Sequence, residues 1–374
     1  MDRRDFLRQA GLASASLAVA SASDLSFTSG LLAQSAAPPA WRTFEITTRV
    51  EVLKPAGVTR IWLPTPLTVE TPYQKPLGNT LTGEGGTTST KTDPDAANAI
   101  ACFEFPDGVT PVAVLTCRAT TLDYTVDLAH PQPRGSRSTQ APKEEIVRFL
   151  QPTKMVPTSG IVKDTATKIT AGKHEDIDKA RAIYEWVVDN TYRDPKVRGC
   201  GIGDIRGMLE TRNFGGKCAD LNALYVGLSR AAGVPARHVY GLRVAKSDRG
   251  FKSLGLATAT ATKGQHCRAE VYLRHYGWVP VDPADVRKVM LEEPPGNLPA
   301  ESDAVRKARQ ALFGSWEMNW IAYNFAHDVA LPGSARGLTA GYFMYPQGET
   351  ADGRIDPFDA DKFKYEITSR EIIS

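Results

Sequence analysis

Gly215-Gly216-Lys217-Cys218-Ala219-Asp220 decides how this chain is read. After Cys218, the apolar residues Leu221, Leu224, Tyr225 and Leu228 recur at three- and four-residue spacing, and Gly233 and Pro235 then supply a stop. That pattern predicts an amphipathic helix with Cys218 in its first turn. A helix N-terminus carries partial positive charge and unsatisfied N–H donors, which together favour thiolate over thiol. Lys217 adds charge beside the sulfur, and the glycine pair is expected to leave room for an acyl group.

Two later stretches complete the pattern. Gln265-His266-Cys267-Arg268-Ala269-Glu270 leads into alternating apolar and polar residues, and His275-Tyr276-Gly277 reads as a turn. Trp278-Val279-Pro280-Val281-Asp282-Pro283 then returns as a partner strand. In an antiparallel hairpin, His266 and Asp282 fall at the same end of neighbouring strands. The order Cys, His, Asp is a layout for acyl transfer through a thiol. His266 can pair with the Cys218 thiolate and then protonate a leaving amine, while Asp282 fixes the imidazole tautomer. Asp285, in the same Asp-Pro-Ala-Asp turn, is the rival for the carboxylate role. The Cys218 N–H is one oxyanion donor, and Tyr192 is the candidate for a second. His238 and His275 read as structural. Cys267 is expected on the opposite strand face from His266.

These blocks, with Leu228-Ser229-Arg230-Ala231-Ala232-Gly233-Val234-Pro235-Ala236-Arg237, resemble the bacterial transglutaminase-like superfamily over about Asp176 to Val289. The resemblance implies an α+β fold with a papain-like core, in which a Cys-bearing helix packs on an antiparallel sheet carrying His and Asp. Matched by position, Cys218 is the nucleophile, His266 the base and acid, and Asp282 the orienting carboxylate. Arg268 stands where the family often has Trp, which bears on the local substrate wall. The superfamily includes proteases, amide hydrolases and cross-linking transglutaminases. The calcium-dependent animal pattern is not visible, so no calcium and no other cofactor is expected.

The rest of the chain frames this core. Its 374 residues call for more than one structural unit, and a net charge of +3 makes no case for nucleic acid. Arg3-Arg4-Asp5-Phe6-Leu7 and the Ala/Ser/Leu stretch from Ala10 to Ala22 read as a twin-arginine export signal. Cleavage is expected at Ala20-Ser21-Ala22 or near Ala36. No apolar run reaches the roughly twenty residues of a membrane span, so the expectation is a periplasmic or otherwise exported protein acting on a peptide or protein substrate. The domain expectation is a signal over 1–36, an N-terminal β-sandwich over 37–130 and a linker over 131–142. The core then spans 143–330, with a C-terminal β extension over 331–374.

Five cysteines, Cys102, Cys117, Cys200, Cys218 and Cys267, leave one thiol over if disulfides form. Cys102–Cys117 and Cys200–Cys267 are the candidate pairs; all five reduced is the alternative. A hydrolase is favoured over an amine-accepting transglutaminase. A non-catalytic envelope protein on the same fold, or a metal site of Cys200, Cys218, Cys267 and His266, are the competing readings.

Overall fold

The computed structural model describes residues 40–133 and 140–373. The export-signal expectation therefore lies outside the described residues, as does the middle of the linker.

The chain opens with strands β1 (Arg42–Val52), β2 (Thr59–Pro64), β3 (Gln74–Thr82), β4 (Thr87–Asp93), β5 (Asn98–Phe105) and β6 (Val112–Thr121). In β1, Phe44, Ile46, Val50 and Val52 alternate with more exposed residues and are buried, as a half-buried strand requires. Helices α1 (Lys143–Arg148), α2 (Ile161–Ile169), α3 (Asp176–Asn190), α4 (Ile205–Thr211) and α5 (Cys218–Ala231) follow. Next come β7 (Ala236–Arg243), β8 (Gln265–Leu273), β9 (Gly277–Val281), α6 (Pro283–Glu292), α7 (Asp303–Ala311) and β10 (Trp320–Asn324). The C-terminal strands are β11 (Gln347–Thr350), β12 (Gly353–Ile355) and β13 (Phe363–Ile372).

The core sheet runs β9-β8-β7-β10, antiparallel throughout. Helix α5 packs on it and is buried on every face, its polar residues Asp220, Asn222, Ser229 and Arg230 included. Leu224 and Leu228 of α5 share a core with Ala269, Val271 and Leu273 of β8 and with α3 residues Ile183, Tyr184 and Val187.

Both ends of the chain build the sandwich. One sheet runs β13-β1-β6-β3 and the other β12-β11-β2-β5-β4. Strand β13 pairs along β1 from Thr43↔Ile372 to Val52↔Phe363. Ile46 of β1 and Ile367 of β13 join the buried cluster that contains Cys218, Leu221 and Tyr240. The Ile367 carbonyl accepts from the Ala261 N–H at 2.7 Å, and the Ser369 N–H donates to the Ala259 carbonyl at 2.8 Å. The loop before β8 is thereby tied to the last strand of the chain.

All five cysteines are free thiols, so neither candidate pair is bridged and the all-reduced alternative holds. Cys117 lies on β6, inside the core of one sheet, and Cys102 lies on β5 in the other sheet, packed beside a different cluster. Cys200 and Cys267 are both reduced in the cluster around Cys218. Among the described residues, no helix is long and apolar enough to cross a membrane.

Candidate active site

Cys218 is the first residue of α5, with Lys217 as N-cap. Asp220, at the third helical position, holds this turn to its surroundings. Its Oδ2 accepts the Lys217 N–H at 3.0 Å, and its Oδ1 accepts the N–H groups of Ile202 and Gly203 at 2.9 Å each. Burial still pushes the Asp220 carboxyl above its ordinary range, against those three donors. The Ala219 N–H donates to the Cys200 carbonyl at 2.9 Å, which brings the 198–203 loop against the start of the helix.

The glycine pair does not make room for an acyl group, as had been expected. Gly215 and Gly216 pair in parallel with Tyr192 and Arg193. A Cβ on Gly215 would lie 2.5 Å from the Tyr192 ring, and one on Gly216 would lie 2.6 Å from the Asp220 Cβ. Their missing side chains permit close packing of the strand and the helix turn, and neither lines the cavity over Cys218.

His266 and Asp282 meet as the hairpin predicts. Ala269 pairs with Val281, so the end of β9 delivers Asp282 toward the start of β8. His266 Nε2 lies 2.7 Å from Asp282 Oδ2. It also lies 3.4 Å from Asp285 Oδ2, so both rival carboxylates face one ring nitrogen. Asp282 caps α6 as well, accepting the Asp285 N–H at 3.1 Å. Asn222, one turn into α5, donates to Asp282 Oδ1 at 3.2 Å and to the Cys267 carbonyl at 2.8 Å. With Nε2 taken by Asp282, Nδ1 is the ring nitrogen left for the sulfur.

Arg243 of β7 completes the charge balance. Its guanidinium donates to both Asp285 oxygens, at 2.6 and 2.8 Å, and both side chains are buried. Burial opposes the Asp285 charge, but Arg243 and His266 outweigh it and hold the carboxyl well below its ordinary range. Asp282 goes the other way, raised by burial and by the charge on Asp285. Burial also disfavours the His266 cation, yet Asp285 and Asp282 lift its pKa to about 10. Cys218 is held well below the ordinary thiol range, first by a hydrogen bond from Cys200, then by one from Cys267 and by His266, with burial opposing. Cys200 and Cys267 are raised in turn. The arrangement favours a Cys218 thiolate beside a protonated His266.

Cys267, expected on the opposite strand face from His266, is packed in the same buried cluster as Cys218 and, unlike His266, does not line the cavity. Cys200 Sγ accepts from the Tyr345 hydroxyl at 3.0 Å, and the Gln265 carbonyl, 3.3 Å away, is the competing acceptor for the one S–H that Cys200 can turn toward the Cys218 thiolate. Tyr192 is not brought to the site: its hydroxyl bonds Asn213 Oδ1 at 3.1 Å, and it lines no part of the cavity. Gln265 does line it, and its buried Nε2 has no hydrogen-bond partner among the described residues. Arg268 forms no cavity wall. It is buried over the rings of Trp320 and Trp316, with Nε 3.8 Å from Asp282 Oδ2, and burial pushes its pKa down to about 10. His238 contacts His327 at 3.0 Å between ring nitrogens and stacks on Tyr240.

One ligand atom each from His266, Asp282 and Asp285 lies within 4.8 Å of the others. Arg243 already neutralises Asp285, so protein cations balance this buried set without calling for a metal.

The cavity above Cys218 has a volume of about 550 Å³. Cys200, Cys218, Gln265 and His266 line it, together with Pro357 and the aromatic side chains of Tyr345, Phe358 and Tyr365, which form an apolar wall. That wall comes from the C-terminal segment, to which sequence reasoning assigned no part in the site. The pairing of β13 with β1 brings it there, across a separation that no local pattern reports.

Residues 163–283, which include Cys218, His266 and Asp282, match the family model of the transglutaminase-like superfamily. The chain carries a transglutaminase-like superfamily domain. It is 38% identical, over 236 residues, to an uncharacterized protein of Haemophilus influenzae, a match covering 61% of this chain and 63% of that relative. This transglutaminase-like fold is shared with a candidate cysteine protease of Cytophaga hutchinsonii, with a TM-score of 0.50 at 14% identity, covering 88% of this chain and 98% of that one. The periplasmic domain of TgpA from Pseudomonas aeruginosa is also similar, at 15% identity and a TM-score of 0.33, over 64% of this chain and 89% of that one.

Proposed function

We propose that this protein is an exported thiol hydrolase that cleaves peptide or amide bonds through a Cys218 acyl-thioester, with His266 as acid and base and Asp282 as its orienting carboxylate. The observation that carries this reading is His266 itself, held through Nε2 by Asp282 at 2.7 Å while it also acts on the Cys218 thiol in an open cavity.

In the proposed reaction the Cys218 thiolate attacks the carbonyl carbon. A C–S bond forms and the carbonyl electrons move to oxygen, stabilised by the Cys218 N–H at the helix start and by Gln265 Nε2. Collapse breaks the C–N bond, and the leaving nitrogen takes a proton from His266 Nδ1. Water then gives a proton to Nδ1 as it attacks the thioester, and the carboxylic acid leaves as the thiolate is restored. Asp285 and Arg243 hold the imidazole and its partner carboxylate in place. Export rests on the Arg3-Arg4 motif. We assign residues 1–36 to the signal, 37–130 to the N-terminal part of the sandwich, 131–142 to a linker, 143–330 to the catalytic unit and 331–374 to a segment that completes the sandwich and also walls the cavity.

The test is to incubate the protein with casein, with and without a dansylated alkylamine, and to read the products by mass spectrometry. Hydrolysis predicts new peptide termini that are lost in Cys218→Ala. Amine incorporation without new termini favours the transglutaminase reading. Identical products from wild type and Cys218→Ala contradict both.

A further inference from the structure

Apart from the Cys218–His266 pair itself, the charged side chains of the cavity over Cys218 are all of one sign. Arg193, Lys217, Arg243, Lys263, Lys288 and Lys364 all line it, and among the described residues no Asp or Glu does. Asp285 neutralises Arg243. Arg193 and Lys288 both bond Glu292, so two cations share one carboxylate. Lys217, Lys263 and Lys364 form no ion pair among the described residues. Asp282 and Asp285 lie behind His266, fully buried, and do not reach the cavity surface. Outside the rim, Asp356 is paired with Arg198 and Asp359 with Lys362. A concave site lined by one sign of charge concentrates ligands of the opposite sign and speeds their arrival.

These cations come from separate parts of the chain. Lys217 caps the nucleophile helix, Lys263 stands on the loop that β13 holds, and Lys364 lies on β13 itself. All three line the one cavity that holds the Cys218 sulfur. Tyr345 and Phe358, packed edge-to-face, add an aromatic wall to the same cavity.

We propose that the acyl donor is an acidic peptide, with side-chain or terminal carboxylates close to the bond that Cys218 attacks. This inference rests on the reading of Cys218 as the nucleophile, and its test separates the two claims.

The probes are two methanethiosulfonates of similar size, one bearing a sulfonate and the other a trimethylammonium group. Each transfers its thioalkyl group to a thiolate, forming a disulfide and releasing methanesulfinate. Rates at Cys218 are followed by mass spectrometry of the mapped peptide, in wild type and in Lys263→Glu/Lys364→Glu. At low salt the anionic reagent is expected to react at least about ten-fold faster than the cationic one, with the ratio falling toward unity in the variant and in high salt. A neutral reagent, iodoacetamide, reports any change in the thiolate itself, and the anionic and cationic rates are normalised to it in each protein. Synthetic peptides of matched length should be cleaved in the same order, a Glu-rich one faster than a Lys-rich one. If Cys218 reacts readily but the cationic reagent and the Lys-rich peptide match or exceed their anionic counterparts, the acidic substrate is ruled out and the nucleophile stands. If Cys218 reacts with none of the reagents at neutral pH, the nucleophile assignment fails and the substrate claim falls with it.

Discussion

His266 Nε2 lies 2.7 Å from Asp282 Oδ2, and this contact leaves Nδ1 as the ring nitrogen facing the Cys218 side. The first prediction follows from that geometry. Asp282→Asn keeps the α6 cap, because Asn caps a helix about as well as Asp. It removes the negative charge that fixes the tautomer and supports the imidazolium. Peptide hydrolysis should fall by about 10²–10⁴-fold, while the midpoint of thermal unfolding changes little. Steady-state kinetics and calorimetry on the same preparation check both halves.

Arg243 and Asp285 are a buried, two-pronged ion pair. Arg243→Met leaves the Asp285 charge without its main partner and should cost about 3–5 kcal/mol. Arg243→Met/Asp285→Leu should recover much of that loss, since an apolar pair of similar volume often replaces a buried ion pair without penalty. Urea denaturation measures both. A single variant as stable as wild type would mean that the pair carries little of the site's integrity.

The pH dependence of stability carries a signature of the thiolate. His266 is lifted to about 10, against burial, by Asp285 and Asp282, and its unfolded value is about 6.5. Taken alone, its stabilisation is complete below about 6.5 and is lost as pH rises through about 10. Cys218 is depressed, first by Cys200, from an unfolded value of about 8.5. Its contribution is present above about 8.5 and is lost as pH falls. Between about 6.5 and 8.5 both the folded and the unfolded protein hold one proton on the pair, so stability is flat there. Above about 8.5 only the folded protein holds one, and stability falls. In Cys218→Ala the fall should begin near pH 6.5. The difference between the two denaturation profiles cancels most other groups. Coincident profiles would contradict a Cys218–His266 ion pair.

Cys200 is the largest contributor to the depressed Cys218 pKa. Cys200→Ala should therefore raise that pKa, slowing iodoacetamide alkylation of Cys218 at pH 6 while changing it little at pH 9. An unchanged pH profile would leave Cys200 as packing beneath Tyr345.

What was legible in the sequence was local. The helix after Lys217 announced itself through apolar spacing and a Gly-x-Pro stop, and the β8–β9 hairpin through alternation and a Gly turn; both place their side chains within a few residues of the signal. What was not legible depended on distant pairings. Arg243 and Asp285 are 42 residues apart, and nothing in the spacing distinguishes Arg243 from another strand arginine. The aromatic wall needs β13 to lie along β1, and Lys263 is placed by the loop tied to that strand. Cysteine spacing was uninformative for the same reason, since Cys102 and Cys117 are close in the chain but sit in different sheets. Arg268 misled because a position in a motif does not report which side of His266 a long side chain takes.

The most direct measurement is the pH dependence of Cys218 alkylation by iodoacetamide, read by peptide mapping in wild type and in His266→Ala. The account predicts that at pH 6 Cys218 is modified well ahead of the other four cysteines, and that His266→Ala removes this preference and restores it only at alkaline pH. Equal modification of all five cysteines, or a Cys218 profile that His266→Ala does not move, would contradict it.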